Sequence, residues 1–447
     1  MNFNPLPLIL SVVGIYFLVK LRFFFILHPV RTIGKTVRAV KDGRALKSLT
    51  LALAGTLGVG NVFGVAIGII IGGPGSVFWL FISMFFAMII KYAEVVISAD
   101  NLFHDTDTHG GMFFVIRNSF KKYGRTLSLV YSASVLGLAL VMGAALQSGT
   151  ASDSMSEAIG IPQELTALIL GALTLASILG GAKKIEKITV IIIPLTTIIY
   201  IIATFSIIVL NFSSLPRIAS AVLSSAFSVD SAVGGILGFL LGAPFHEGFA
   251  RGILSNEAGT GTSSIAHARN GVLNPSSAGL LGMFEVWFDT GFVCMITAFS
   301  ILLSVPDISP FTTGTELIMY TVGNAFGIFG KYAIALAVFF FAFATVICWY
   351  YYGSESWRGI FGKKSTVLFL PIFVIAVILG ALTDTFSLIH ITDVLMAVIT
   401  ALTLLALIKN SDRIKALSER GGVIDGDLSR FRRPRIKGNV FSRERED

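Results

Sequence analysis

Five carboxylates stand in or at the edge of apolar stretches of this 447-residue chain: Glu94, Glu247, Glu257, Glu285 and Asp289. A charged side chain at the centre of a membrane helix costs roughly 3 kcal/mol on insertion scales, so each is a candidate for handling ions or protons. Two have a partner at helical spacing. Lys91 precedes Glu94 by three residues and Glu247 precedes Arg251 by four, and both spacings predict an intrahelical ion pair. Glu285 and Asp289 are like charges four apart on one face, a conflict that a proton or a bound cation would relieve. Glu285 and Glu247 fall at similar depths, which predicts a proton- or cation-sensitive cluster holding both. Glu257, within Asn256-Glu257-Ala258-Gly259, either anchors a gate or makes a cap or loop hydrogen bond.

Other chemistries fail on their residues. His246-Glu247-Gly248-Phe249-Ala250 begins like a zinc protease motif but has Ala250 where the second histidine is required. Gly58-Val59-Gly60 is followed by Phe63 where a dinucleotide fingerprint needs its third glycine, and no Walker loop occurs. Cys294 and Cys348 both lie deep in apolar runs, which leaves neither a disulfide framework nor a zinc cluster. No enzyme, organic cofactor or transition metal is expected.

The elements that must position these groups are membrane helices. The chain is 54% hydrophobic and 13% charged, whereas an ordinary soluble domain has about 25% charged residues. Apolar runs fall near 5–27, 48–72, 75–100, 126–149, 163–181, 187–211, 232–256, 276–304, 328–353, 366–384 and 390–409, which predicts an all-α polytopic protein of about eleven spans. The first run reads as a retained helix, since no basic leader precedes it and Lys20 and Arg22 follow it. The net charge of +8 is partitioned among alternate connections, not gathered into a nucleic-acid-binding face. Arg31, Lys35, Arg38, Lys41, Arg44 and Lys47 lie in one, and Arg117, Lys121, Lys122 and Arg125 in another. Lys183, Lys184 and Lys187, then Arg251 and Arg269, then Arg358, Lys363 and Lys364 mark three more. Apart from Arg217, the intervening loops are almost free of Lys and Arg, so the N-terminus is expected outside and the C-terminus in the cytoplasm. The charged segment 411–447, with Arg430, Arg432, Arg433, Arg435 and Lys437, reads as a mobile tail that touches anionic lipid headgroups or stays solvated.

Two runs are interrupted. Ala54-Gly55-Thr56-Leu57-Gly58-Val59-Gly60-Asn61 places glycines and an amide near mid-membrane, where each glycine costs roughly 1 kcal/mol relative to alanine and freed backbone groups need partners. Gly60, Gly64, Gly68 and Gly72 also form a stripe for close helix packing. Gly242-Ala243-Pro244-Phe245-His246-Glu247-Gly248 is expected to break the seventh run, or merely to kink it. The broken runs head two successive groups of five, 48–211 and 212–410, after an N-terminal unit 1–47. Because five is odd, the second group enters from the opposite side, as in inverted-repeat carriers with a site between the breaks.

The chain resembles the alanine/glycine:cation symporters, a family with the leucine-transporter fold of five plus five inverted helices. The resemblance rests on Gly55-Thr56-Leu57-Gly58-Val59-Gly60-Asn61, on Gly72-Gly73-Pro74-Gly75 with Lys91-Tyr92-Ala93-Glu94, and on Ala250-Arg251-Gly252 followed by Ser255-Asn256-Glu257-Ala258-Gly259. Gln147, Asp289-Thr290, Phe341-Ala342-Phe343-Ala344-Thr345 and Trp349-Tyr350-Tyr351-Tyr352-Gly353 extend it. The chain departs from the family pattern at Gly149, Ala344, Ile399 and Thr400, and adds Glu247 and Glu285. The resemblance implies symport of a small neutral amino acid, alanine or glycine, with Na+ across a plasma membrane; H+ coupling or an uncoupled facilitator is the alternative. Freed N–H groups around Gly58, Gly60 and Asn61 would hold the substrate carboxylate. Thr56, Gln147 and Asn61 would add polar contacts, and Phe245 and Trp349 would close the pocket unless they are packing residues. Na+ would take carbonyls of the unwound segment at Gly55 and the hydroxyl of Thr345, unless that hydroxyl bonds its own helix.

Overall fold

The computed structural model describes residues 5–41, 43–102, 111–227, 242–269 and 274–424. No strand occurs among them. The helices are α1 (Leu6–Lys20), α2 (Pro29–Val40), α3 (Gly43–Thr56), α4 (Val65–Gly72), α5 (Gly75–Leu102), α6 (Met112–Ser119), α7 (Gly124–Ile159), α8 (Gln163–Ile178), α9 (Gly181–Leu210) and α10 (Leu215–Phe227). After them come α11 (Ala243–Asn256), α12 (Ser263–Arg269), α13 (Pro275–Ser304), α14 (Gly314–Phe361), α15 (Phe369–Gly380), α16 (Thr385–Lys409) and α17 (Ser411–Arg420).

Seven helices among the described residues are long and apolar enough to cross a membrane, and an eighth span forms if the bent pair Ala45–Thr56 and Gly60–Gly72 is one crossing. This is the architecture of a polytopic membrane protein. The outer helices show it in their surface: α9 exposes Ile191, Leu195, Ile198, Ile202, Phe205 and Val209 along one side, a face suited to lipid, because a bilayer offers apolar side chains no reason to hide. The centre is packed with large side chains, Trp349, Tyr92, Tyr131, Tyr200 and Tyr352 among the most buried.

Three spans depart locally from α geometry. Gly60–Gly64, Ala139–Leu146 within α7 and Trp287–Cys294 within α13 adopt π-helical hydrogen bonding. Such insertions shift the register of side chains and collect at functional sites, and here they lie in or beside the turns that carry Asn61, Gln147 and Asp289. The α14 helix is split at Gly327 (φ 62°), which explains why its apolar run begins only near residue 328.

Gly242 is extended (φ -69°, ψ 145°) where α11 begins, and Pro244 occupies the first turn of that helix, where its missing N–H costs nothing; residues 228–241, the earlier part of the seventh apolar run, lie outside the described residues. A second break, at a place the sequence did not mark, follows α11: the chain leaves helical geometry after Asn256, with Glu257 left-handed (φ 53°) and Gly259 and Gly261 both at φ 84°, before α12 begins at Ser263. One expectation needs correction: the C-terminal segment is not free from residue 411. The α17 helix docks through Ser276 Oγ donating to Leu417 O at 2.9 Å, Tyr92 OH donating to Ser418 Oγ at 2.9 Å, and an Arg413–Asp100 ion pair at 2.6 Å. Lys35 Nζ adds a hydrogen bond to Gly422 O. The basic residues from Arg430 to Lys437 lie outside the described residues.

Candidate functional site

The first break bends its span by 53° between Thr56 and Gly60, and its freed backbone groups are taken up one by one. Gly58 N–H donates to Asn61 Oδ1 at 3.0 Å, and Val59 N–H donates to Gln147 Oε1 at 3.3 Å. Leu57 O accepts from Thr345 Oγ1 at 3.3 Å. Thr345 therefore faces the unwound segment and not a carbonyl of its own helix. Glycine is required for this convergence: a Cβ on Gly58 would lie 2.7 Å from Thr345 Oγ1 and 3.0 Å from Gln147 Oε1. One on Gly60 would lie 3.1 Å from Ser255 Cα of α11. Gly55 faces Tyr352 and Cys348, and Thr56 is buried with its hydroxyl turned back to Ala52 O at 3.4 Å.

The second break satisfies its backbone in the same way. Ala258 N–H donates to Asn256 Oδ1 at 2.9 Å and Gly259 N–H to Glu94 Oε2 at 3.0 Å. Thr260 O accepts from Tyr131 OH at 2.9 Å and from Thr403 Oγ1 at 3.2 Å. Asp289 joins the two breaks. Its carboxylate, without solvent exposure, accepts from Asn61 Nδ2 at 2.5 Å, Ser255 Oγ at 2.7 Å and Thr290 Oγ1 at 2.9 Å, and Asn256 Nδ2 donates to that same threonine oxygen at 2.9 Å. The Asn61 and Asn256 carbonyl oxygens are engaged by backbone N–H groups, so both amides present NH2 to this cluster, and Asp289 is its acceptor.

A vestibule of about 460 Å³ opens at one end of the bundle, walled by Phe63, Ile67, Asp153, Gln163, Thr313 and Asp384 among others. Beneath it lies a void of about 20 Å³ against Val59, Gly60, Gln147, Met142, Leu254 and Ile389, room for a single water. Phe63, Ile67, Thr385 and Ile389 line both. The vestibule is at the helix ends opposite the connections rich in Lys and Arg.

The remaining carboxylates are distributed differently from their spacing. Lys91 pairs with Glu285 at 3.6 Å and donates to Ser263 Oγ at 2.7 Å, and has no ion pair with Glu94. Helical proximity loses here because α12 and α13 bring Ser263 and Glu285 to the lysine while Glu94 caps the second break. His267 Nε2 lies 3.0 Å from Glu285 Oε2. Glu285 is thus drawn away from Asp289 into its own network, and the two like charges are separated by their partners. Glu247 does pair with Arg251, at 3.1 Å, and Arg251 also reaches Asp393 at 3.5 Å. Glu247 and Glu285 belong to separate networks, so the expected cluster of these two is not formed. Glu257 accepts from Thr262 Oγ1. Phe245 packs against Trp79 and Phe249, with ring centroids 5.2 and 4.7 Å away. Trp349 lies edge-on to Tyr352 at 5.5 Å. Neither aromatic lines the vestibule or the void. The vestibule residues Asp153, Gln163 and Thr383 and the void residues Thr385 and Ile389 carried no sequence signal, since they meet only in three dimensions.

Comparison with known proteins is consistent along the chain. A sequence profile of the sodium:alanine symporter family matches residues 2–419. The sodium/alanine symporter AgcS of Methanococcus maripaludis is 31% identical over 75% of this chain and 74% of its own. A sodium/proton-dependent alanine carrier protein of Bacillus sp. (strain PS3) is 32% identical over 72% of this chain and 73% of its own. The probable sodium/glutamine symporter GlnT of Bacillus subtilis (strain 168) is 30% identical over 80% and 74% respectively.

Proposed function

The chain belongs to the sodium:alanine symporter family, and from that premise we propose that it imports a small neutral amino acid, alanine or glycine, together with Na+ across a plasma membrane. The supporting observation is the first break, whose backbone N–H groups at Gly58 and Val59 are held only by the side chains of Asn61 and Gln147. A substrate carboxylate can replace those acceptors at the amino end of the helical segment beginning at Gly60, where the dipole favours negative charge. Na+ takes the carbonyl oxygens near Gly55 and Leu57 with Thr345 Oγ1, hard oxygen ligands already converging at 3.3 Å. The architecture we assign is one N-terminal helix (1–47) and two inverted five-helix units (48–211 and 212–410) of the leucine-transporter type, with the N-terminus outside. On that orientation the vestibule faces outward. The Asp289 and Lys91–Glu285 networks hold the inner side closed, and exchanging these two conditions constitutes alternating access.

Proteoliposomes test the reading. Labelled alanine or glycine is expected to accumulate above its equilibrium level when a sodium gradient is imposed and to leak out when the gradient is collapsed. Equilibration without accumulation under either a sodium or a proton gradient would instead identify an uncoupled facilitator.

A further inference from the structure

Around the second break lies more buried negative charge than the first-break chemistry uses. Lys91, Glu94, Glu257 and Glu285 are all without solvent exposure. Lys91 is committed to Glu285 and Ser263, and Glu285 is further engaged by Ser263 Oγ at 2.9 Å and by His267. Glu94 and Glu257 are left, and each has one carboxyl oxygen, Oε1, that is buried and without a hydrogen-bond partner. An ionised carboxylate with an unpartnered oxygen in a dry interior is far costlier than its neutral acid.

The two glutamates differ in what their bonded oxygen meets. Glu94 Oε2 accepts from the backbone N–H of Gly259, a donor that cannot reverse, so a proton on this side chain would sit on Oε1, which has no hydrogen-bond partner to receive it. Glu257 Oε2 meets only the hydroxyl of Thr262, which shares a hydrogen with Thr260 Oγ1 at 2.8 Å, and Thr260 in turn donates to Glu257 O at 2.6 Å. A chain of hydroxyls can turn its hydrogens round. When Glu257 is ionised, Thr262 donates to it. When Glu257 is protonated, its own O–H donates to Thr262 and Thr262 donates to Thr260. Both charge states therefore keep every hydroxyl bonded.

We propose that Glu257 is a proton-binding site, loaded while the inner side is closed and emptied to water when the 257–262 segment parts from α5 and α13. The proposal rests on the transport reading only for its consequence, that uptake is linked to protons as well as to Na+. The Oε–H bond breaks, the proton leaves as hydronium, and Glu257 becomes hydrated; no other reactant is needed. The groups facing Glu257 are Lys91 and Glu94 on α5, Glu285 and Asp289 on α13, Tyr131 on α7 and Tyr352 on α14, with His267 beyond Glu285. Lys91 acts electrostatically on all four of these carboxylates, and Glu285 holds it.

Infrared difference spectroscopy of the full chain in liposomes, titrated between about pH 5 and pH 9 without substrate, reads the site directly, because a buried neutral carboxyl has its own C=O band that ionisation removes. The band is expected in the wild type, to fall as the pH rises, and to lose one titrating component in Glu257→Gln, whose amide keeps the donor sense of the protonated acid. Thr262→Val, which removes the only donor to the carboxylate, is expected to move the midpoint of the titration upward and serves if Glu257→Gln does not fold. A wild type without a titrating band, a titrating band undiminished in Glu257→Gln, or an unmoved midpoint in Thr262→Val would overturn the proposal. In uptake assays Glu257→Gln is expected to lose the pH dependence of the wild type. If alanine and glycine are not transported but the band still titrates on Glu257, the substrate assignment fails and the proton site stands.

Discussion

Thr345 offers the sharpest single-residue test of cation binding, because its hydroxyl reaches across to Leu57 O and because Ala344 beside it supplies no second hydroxyl. Thr345→Ala is expected to raise the Na+ concentration for half-maximal uptake about tenfold, the loss of one ligand or hydrogen bond worth roughly 1.4 kcal/mol. Thr345→Ser, which keeps the oxygen, should stay near the wild type. Sodium titrations of alanine uptake in the two variants check this, and equal shifts in both would remove Thr345 from the ion site. The Asn61–Asp289 contact makes a related point about what residue types alone can say. The sequence offers Asp289 as one of two like charges in conflict, whereas in the folded chain three neutral donors converge on it. What relieves the conflict is a set of hydrogen bonds from residues 34 and 228 positions away in the chain, as well as one from its neighbour.

At the level of elements, close approach of backbones governs the outcome. Gly149 on α7 stands where the resembled family usually has asparagine, and a Cβ there would lie 2.8 Å from Gly380 O at the end of α15. Gly149→Asn is therefore expected to overpack this contact and cost about 1–3 kcal/mol, seen as a lower melting temperature in detergent; an unchanged or higher value would show that α15 can yield. The first break was legible because glycines off the packing stripe and an amide have no reason to gather in mid-helix. The second, after Asn256, was not marked along the chain, where Pro244 draws attention as a helix breaker although it sits in the first turn of α11. The true signal was Asn256-Glu257-Ala258-Gly259-Thr260-Gly261, polar groups and glycines able to turn left-handed. Ion pairs between residues of one helix were legible in part: Glu247–Arg251 forms even though Asp393 of α16 also reaches the arginine, while Lys91 is claimed by another helix.

On the scale of the whole molecule, the alternation of basic and neutral connections predicts which end of the bundle faces which solution, and the vestibule gives that prediction an address. Thr383 is exposed at the vestibule end and Lys363 at the other. Both native cysteines are buried. In intact cells, Thr383→Cys is expected to react with a membrane-impermeant thiol reagent and Lys363→Cys only after the membrane is opened; the reverse pattern would invert the assigned topology. Membrane crossings and their polarity are written in local hydropathy and charge, so they can be read along the chain. The vestibule and the void cannot, because their walls come from six separate helices.

Gly58 and Val59 carry a lesson about the vacant carrier. On the proposed carboxylate site, their N–H groups already have Asn61 and Gln147 as understudies for an arriving anion, so these two donors are not left bare when no substrate is bound and the empty carrier can return through its cycle without cargo-sized penalties. The guest must evict two resident acceptors before it is held. Only the surplus of its own contacts over theirs appears as grip, which favours a molecule that releases its passenger as readily as it takes it up.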